Sequence, residues 1–293
     1  MMMRIVFFIA LVGCACSVPA DASEYGVALT SAPVLNSPDF KGVFGGANGQ
    51  VMKVDRCGQV RELEFIALPG SVFTILKKQS SGAVDIYQVE TDEYVAPPNV
   101  RLYVDGRFLK LQHAAPPPRS RSLPPREKVV SALRMSVGNR YVWGGNVPGG
   151  VPELAAWFNK DLMGGDGERA GLAGLDCSGL LYHATGGWTP RNTTQLLTYG
   201  QGVAIAGRSA AEITTLLQPL DPLVWNGHVI IVLDRQTAIE SRLECSRPDS
   251  GGVVLTNLSQ RLAEITRTRR PANSWQGSKK RRDIFVVRRW YAL

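Results

Sequence analysis

Residues 113–127 read HAAPPPRSRSLPPRE, with five prolines and almost no apolar side chain. Proline has no amide hydrogen and a fixed φ, so this stretch can continue neither a helix nor an inner strand. It predicts an extended, solvated linker over residues 113–126, which divides the chain into two folding units. A length of 293 residues leaves each unit enough interior for an ordinary core.

The first 22 residues are set apart by pattern. MMMRIVFFIALVGCACSVPADA has one basic residue, an apolar stretch too short for a permanent membrane anchor, and the small-x-small site Ala20-Asp21-Ala22. This reads as an export signal. Cleavage after Ala22 is the preferred processing, but Leu11-Val12-Gly13-Cys14 also has the form of a lipoprotein box, which would make Cys14 a lipid anchor. Either route predicts an exported protein of the periplasm or cell envelope. Cleavage after Ala22 leaves three of five cysteines, an odd number for an oxidising compartment. Cys57 and Cys245 could bridge, leaving Cys177 free. The net charge of +8, with basic clusters at Lys279-Lys280-Arg281-Arg282 and Arg288-Arg289, suits an anionic surrounding such as a cell wall, or is simply a solvated basic face. Nucleic acid is not an expected partner of an exported chain.

Residues 25–112 read as a small all-β barrel. Short β-rich runs around Ser71–Leu76 and Val84–Val89 are separated by turn formers, and Asp105-Gly106 predicts a two-residue hairpin turn within RLYVDGRFLKL. Residues 127–293 read as α+β. A helix is expected to open the unit at EKVVSALRMSVG, and a capping box at Ser209–Glu212 opens another. Strands follow at HVIIVL, TAIE, GVVL and IFVVRRW.

Within GLDCSGLLYHATGG, Cys177 stands just inside an expected helix start, where unpaired N–H groups and the helix dipole favour thiolate over thiol. Such a nucleophile needs a base, and the chain has three histidines. His183 points away on the same helix, and His113 lies at the edge of the linker. His228 begins an apolar strand after Asn-Gly, oriented by a sheet yet open to a cleft. A hairpin turning at residue 234 would set Glu240 opposite His228, where a carboxylate could hold the second ring nitrogen. A plain surface glutamate is the alternative.

Tyr141-Val142-Trp143-Gly144-Gly145, Asp176-Cys177-Ser178-Gly179-Leu180, His228-Val229 and a polar residue at 240 together resemble the NlpC-type family of bacterial cell-wall cysteine peptidases. The resemblance covers residues 127–242, and the N-terminal unit looks like the bacterial Src-homology-3-like barrel that often precedes such domains. It implies a papain-like fold with Cys177 as nucleophile, His228 as base and acid, and Glu240 as the orienting third member. Tyr141 would line the cleft and help hold the oxyanion, Asp176 would receive a substrate amine, and Ser178 would border that subsite. Pro190-Arg191 matches a pair usual after the nucleophile helix. Tyr141 could instead be a core aromatic, and Asp176 a helix cap. The implied reaction is hydrolysis of peptidoglycan stem peptides, between γ-D-glutamate and a diamino acid such as meso-diaminopimelate. An amidase, an acyltransferase or a wall-binding protein without catalysis are the competing readings.

Departures from the family are specific. A charged Glu240 replaces the commoner histidine, and Leu220-Asp221-Pro222 stands where Gly-Asp is usual. The insertion at 146–175, with a helix expected from Glu153 to Leu162, would form a wall or lid of the cleft. Asp92, Glu93 and Tyr94 would either meet a substrate amine or sit in a solvated loop. The extension past Leu243 has no reading. No metal spacing or phosphate loop is present in the sequence, so no cofactor is expected.

Overall fold

The computed structural model describes residues 24–45, 51–81, 84–158, 169, 171–246, 251–275 and 283–291. The export signal, the cluster Lys279–Arg282 and much of the insertion lie outside the described residues. Among those described, no helix is long and apolar enough to cross a membrane.

The fold is α+β. Seven strands, β1 (Glu24–Ala28), β2 (Ala32–Leu35), β3 (Leu63–Ala67), β4 (Val72–Ser81), β5 (Val84–Glu90), β6 (Leu102–Asp105) and β7 (Leu109–Gln112), form one antiparallel sheet in the order β3-β2-β6-β5-β4-β1-β7. The expected Asp105-Gly106 hairpin does not form. Asp105, fully buried, accepts from the N–H and guanidinium of Arg107 and starts a short 3-10 turn at Gly106–Phe108. β7 therefore leaves β6 and pairs with β1 at the far end of the sheet. Gly106 is needed for close approach, since a Cβ there would lie 2.7 Å from the Tyr87 ring.

The first unit also carries α1 (Phe40–Gly45). The second unit opens with α2 (Arg126–Met135), whose Val129 and Leu133 are buried, as their spacing predicts. A small antiparallel ladder pairs β8 (Asn146–Val147) with β9 (Gly174–Leu175). After α3 (Pro152–Phe158) come α4 (Cys177–Ala184), α5 (Thr193–Leu196) and α6 (Ala210–Leu216), with the Ser209–Glu212 capping box intact. Behind them β10 (Gln201–Gly202), β16 (Ile284–Arg289), β11 (Pro222–Trp225), β12 (His228–Val232), β13 (Thr237–Leu243) and β14 (Gly251–Asn257) are neighbours in that order, and β15 (Arg270–Ala272) runs parallel to β16. Strand alternation gives this sheet two faces. Val229, Ile231 and Ile239 pack with Cys177, Leu180, Leu181 and α2. Ile230, Val232 and Ala238 pack on the other side, under α7 (Leu258–Thr268).

Two sequence expectations are corrected by packing between the units. The helix of the insertion does not lie over the cleft as a lid. Its Leu154, with Val151 just before it, joins the core of the N-terminal sheet, while Trp157 packs on Phe108 at 4.8 Å and Phe158 on Phe44 at 5.7 Å. An apolar helix face is most stable against an existing core, at about 1.5–3 kcal/mol per large side chain buried. The linker is extended but not merely solvated. Arg119 reaches back to make two bonds to Glu93, at 2.9 and 3.0 Å, and also donates to the carbonyl of Gly186. Glu93, 1% exposed in its side chain, accepts from Tyr182 Oη as well, at 2.8 Å. This buried carboxylate thus ties the first unit, the linker and α4 together. Tyr94 is equally committed, stacked on Phe65 and donating to Glu64 at 2.7 Å, whereas Asp92 stays exposed beside Arg121. Glu93 and Tyr94 are therefore not free to meet a substrate amine.

The basic pair Arg288-Arg289 is not a solvated patch either. Arg288 donates to the carbonyls of Thr198, Tyr199 and Gly200, and Arg289 grips Asp221. Cys57 and Cys245 form a disulfide between the two units, with Cα atoms 4.8 Å apart, and Cys177 is free.

Glu93→Ala strands a buried guanidinium and is expected to destabilise the protein by roughly 3–5 kcal/mol. Burial alone would raise the Glu93 carboxyl, but the bonds from Arg119 and Tyr182 and the nearby positive charges hold it below its usual value. The pair's contribution is accordingly present above the unfolded pKa and lost as pH falls through the lowered one. Urea unfolding at falling pH should show a steeper acid loss in the parent than in Glu93→Gln.

Candidate active site

Helix α4 begins at Cys177 because Asp176, in extended conformation, caps it: the carboxylate accepts the N–H of Gly179 at 2.6 Å. The helix head crosses the loop at 144–145 so closely that a Cβ on Gly179 would fall 2.0 Å from the Gly145 carbonyl. Gly144 is held at φ +70 against the main chain of Leu63, where a side chain has no room. The Tyr141–Gly145 segment is thus pressed between helix and N-terminal sheet.

The guanidinium of Arg191, 1% exposed, organises this junction. It donates to both oxygens of Asp176, at 3.0 and 2.8 Å, to Ser178 Oγ at 3.1 Å, to Asn146 Oδ1 at 2.9 Å and to the Gly145 carbonyl at 3.2 Å. Asn146 in turn accepts from the N–H of Ile66 and donates to its carbonyl, which docks the loop onto β3. Asp176 therefore serves as helix cap and partner of Arg191, and its charge is already matched. Ser178, buried between Asp176 and Arg191 and bonded to both, is likewise a support of the helix head.

Cys177 Sγ lies where sheet and helix head meet. Its thiol donates to the Gly227 carbonyl at 4.0 Å, and the sulfur accepts from the N–H of Val229. Those two residues flank His228 in the chain. The β12–β13 ladder is registered only as far as Ile231–Ile239, which leaves that end of β12 open to the sulfur. Sulfur and imidazole approach the start of β12 from the two sides of the strand, Cys177 with the α4 face and His228 in alternation with Ile230 on the α7 face.

His228 Nε2 and Glu240 Oε2 are 2.8 Å apart. The pairing is diagonal rather than directly across, because one step along the observed register sets Glu240 opposite Ile230. Both side chains still share a face, and a glutamate is long enough to span the diagonal. Glu240 is 0% exposed and is also gripped by Arg261 of α7, Nε to Oε1 at 2.8 Å and Nη2 to Oε2 at 3.0 Å. Burial would raise this carboxyl, but the bonds and charges of His228 and Arg261 hold it below the usual carboxylate range. An ionised carboxylate only accepts, so Nε2 carries a proton toward Glu240, and Nδ1 is the nitrogen that can act as acceptor whenever the ring holds a single proton. The Trp225 ring packs beside the imidazole at a tilt, with centroids 5.0 Å apart, and the Arg269 guanidinium lies over the Trp225 ring at 4.6 Å.

The charge state of the cysteine differs from expectation. Burial, then the negative charge of Asp176, push the Cys177 thiol up to about 12, against the opposing pull of the Val229 and Ser178 amides and of Arg191. The resting residue is therefore a thiol, and a base must take its proton as it reacts. Tyr141 is half-buried. Burial, then Cys177 and Asp176, push its phenol up, so it stays neutral and able to donate. His183 is half-buried on α4, its pKa lowered by burial, and His113 is exposed. Among the described residues no three His, Cys, Asp or Glu side chains are gathered to hold a metal ion.

Arg261 was not legible as a site residue. Its helix carries a signal nonetheless: Asn257 as cap, then Leu258, Leu262 and Ile265 on one face.

No protein-family profile matches the chain, and none of the curated proteins matches it. A solved structure with similarity is that of an NlpC/P60 family protein from Bacillus cereus ATCC 10987, at 13% identity and a TM-score of 0.33 over 92% of this chain. The chain spans 64% of the length of that protein.

Absorbance titration at 240 nm of the resting protein should place the thiolate step well above the ordinary thiol value of about 8.5. The folded state then holds the proton longer than the unfolded chain. The stability this confers is present below the unfolded pKa and lost as pH rises through the folded one. A step at or below the ordinary value would show that the helix head outweighs burial.

Proposed function

We propose that the protein is an exported cysteine endopeptidase that cuts peptidoglycan stem peptides, at the bond between γ-D-glutamate and meso-diaminopimelate. The observation that carries this reading is the free Cys177 at a helix head, its sulfur against the main chain on both sides of a histidine whose far nitrogen is held by a buried carboxylate. The bond chosen rests on the resemblance of the motifs around Tyr141, Cys177 and His228. The disulfide between Cys57 and Cys245 supports export, since such bridges persist in oxidising compartments. We read residues 24–112 as a Src-homology-3-like unit, and the wall as the anionic partner of a chain with net charge +8.

In this reaction His228 Nδ1 takes the thiol proton as Sγ attacks the γ-carbonyl carbon. The tetrahedral oxyanion is met by the N–H of Cys177 and by the neutral Tyr141 phenol, each such donor contributing a few kcal/mol when preorganised, about 3. The C–N bond breaks as the imidazolium returns the proton to the amine of the diamino acid. Water, deprotonated by the same ring, then cleaves the thioester, releasing the γ-carboxylate and restoring the thiol. Substrate binding must draw sulfur and ring together, as often happens when catalytic hydrogen bonds tighten in the reacting complex.

Purified wall digested with the parent protein should yield muropeptides that keep the lactyl amide and end in γ-glutamate, by mass spectrometry. Cys177→Ala should release none. Identical fragments from both proteins would sink the proposal, and cleavage at the lactyl amide would make the protein an amidase instead.

A further inference from the structure

The extension beyond Leu243 reaches the site through one side chain. We infer that Arg261 is a positioning residue for His228, acting through Glu240, so that α7 belongs to the catalytic apparatus. This rests on the cysteine-hydrolase reading above.

The geometry is specific. Glu240 has no exposed side-chain surface, so a carboxylate left there without a cationic partner is strongly disfavoured. Arg261 occupies Oε1 with Nε and shares Oε2 with the imidazole, so the guanidinium fixes both the plane of the carboxylate and the direction of the lone pair that meets Nε2. It also settles the acceptor character of Glu240. With Arg261 present the carboxylate stays ionised and its lone pair fixes a proton on Nε2, which leaves Nδ1 as the nitrogen to accept the cysteine proton. Without it, the buried carboxylate either takes up a proton and ceases to be a pure acceptor, or turns and releases the ring.

The ring beside His228 does not supply this function, since Trp225 is uncharged, and Arg269 is engaged with the Trp225 ring. The remaining bond of Arg261, Nη1 to Glu264 at 2.9 Å, goes to a side chain that is 54% exposed, and serves as an internal control.

The test uses the full chain and two readouts, one independent of the natural substrate. Iodoacetamide modification at neutral pH, mapped to Cys177 by peptide mass, reports how well His228 removes the thiol proton. Arg261→Gln should slow it by about 10–100-fold, the usual range for groups that orient a reacting side chain. Arg261→Lys should fall between, since an ammonium restores charge but not the planar fork. Glu264→Gln should match the parent. On wall fragments, Arg261→Gln should lower kcat by a similar factor and leave KM nearly unchanged. A parent-like modification rate in folded Arg261→Gln overturns the assignment, as does a raised KM with unaltered kcat. If Arg261→Gln does not fold, Arg261→Lys decides alone: a reduced rate supports the role and a parent-like rate overturns it. A parent protein that digests no wall, yet shows this modification pattern, would sink the hydrolase reading and leave the Arg261 assignment standing.

Discussion

The buried guanidinium of Arg191 joins everything the site depends on. It is bonded at once to the cap of the nucleophile helix, to the hydroxyl one residue after the cysteine, to the loop at 144–145 and to the asparagine that clamps β3. An arginine with almost no exposed surface is tolerable only when its charge is matched and its donors are used. That requirement makes the assembly cooperative. Asp176 cannot leave to bind a ligand without stranding Arg191, and the loop cannot shift without costing Asn146 its grip on Ile66. The sulfur is thereby held at a defined place, at the price of a carboxylate beside it that disfavours the thiolate.

A second buried charge balances the first across the strand. Glu240 and Arg261 neutralise each other beside the imidazole, so the site combines a protonated thiol with a closed ion pair. In the proposed reaction, the charge that forms as the proton moves from sulfur to nitrogen arises next to a carboxylate already oriented to receive it. Sulfur and ring reach the mouth of β12 from its two faces, and the short hairpin at 226–227 keeps the strand start open to both.

The two folding units act as one body at this site. The sheet of residues 24–112 contributes Ile66 to the loop clamp, Gln59 to the N–H of Trp143 and Glu93 to Tyr182 on the nucleophile helix. Arg61 stacks on the exposed Trp143, so a side chain from the first unit borders the segment that carries Tyr141. The insertion helix buries its aromatic end in the first unit rather than over the cleft. Each contact crosses a boundary that composition alone places in solvent.

Local chemistry was readable in advance wherever it depends on near neighbours. The α2 stripe, the Ser209 capping box and the strands from His228 onward follow from periodicity and from side chains that bond within a few residues, whereas the hairpin spacing found the partner of His228 but missed the register by two residues. The cap at Asp176 belongs with them as one of two readings. What only the tertiary structure decided are the long-range electrostatics: that Asp176 is already matched by Arg191, that the thiol is protonated, that the linker arginine is buried on Glu93, and that a helix from the extension supplies Arg261. Burial and the pairing of charges far apart in sequence set these, and neither has a period that a single chain of letters displays.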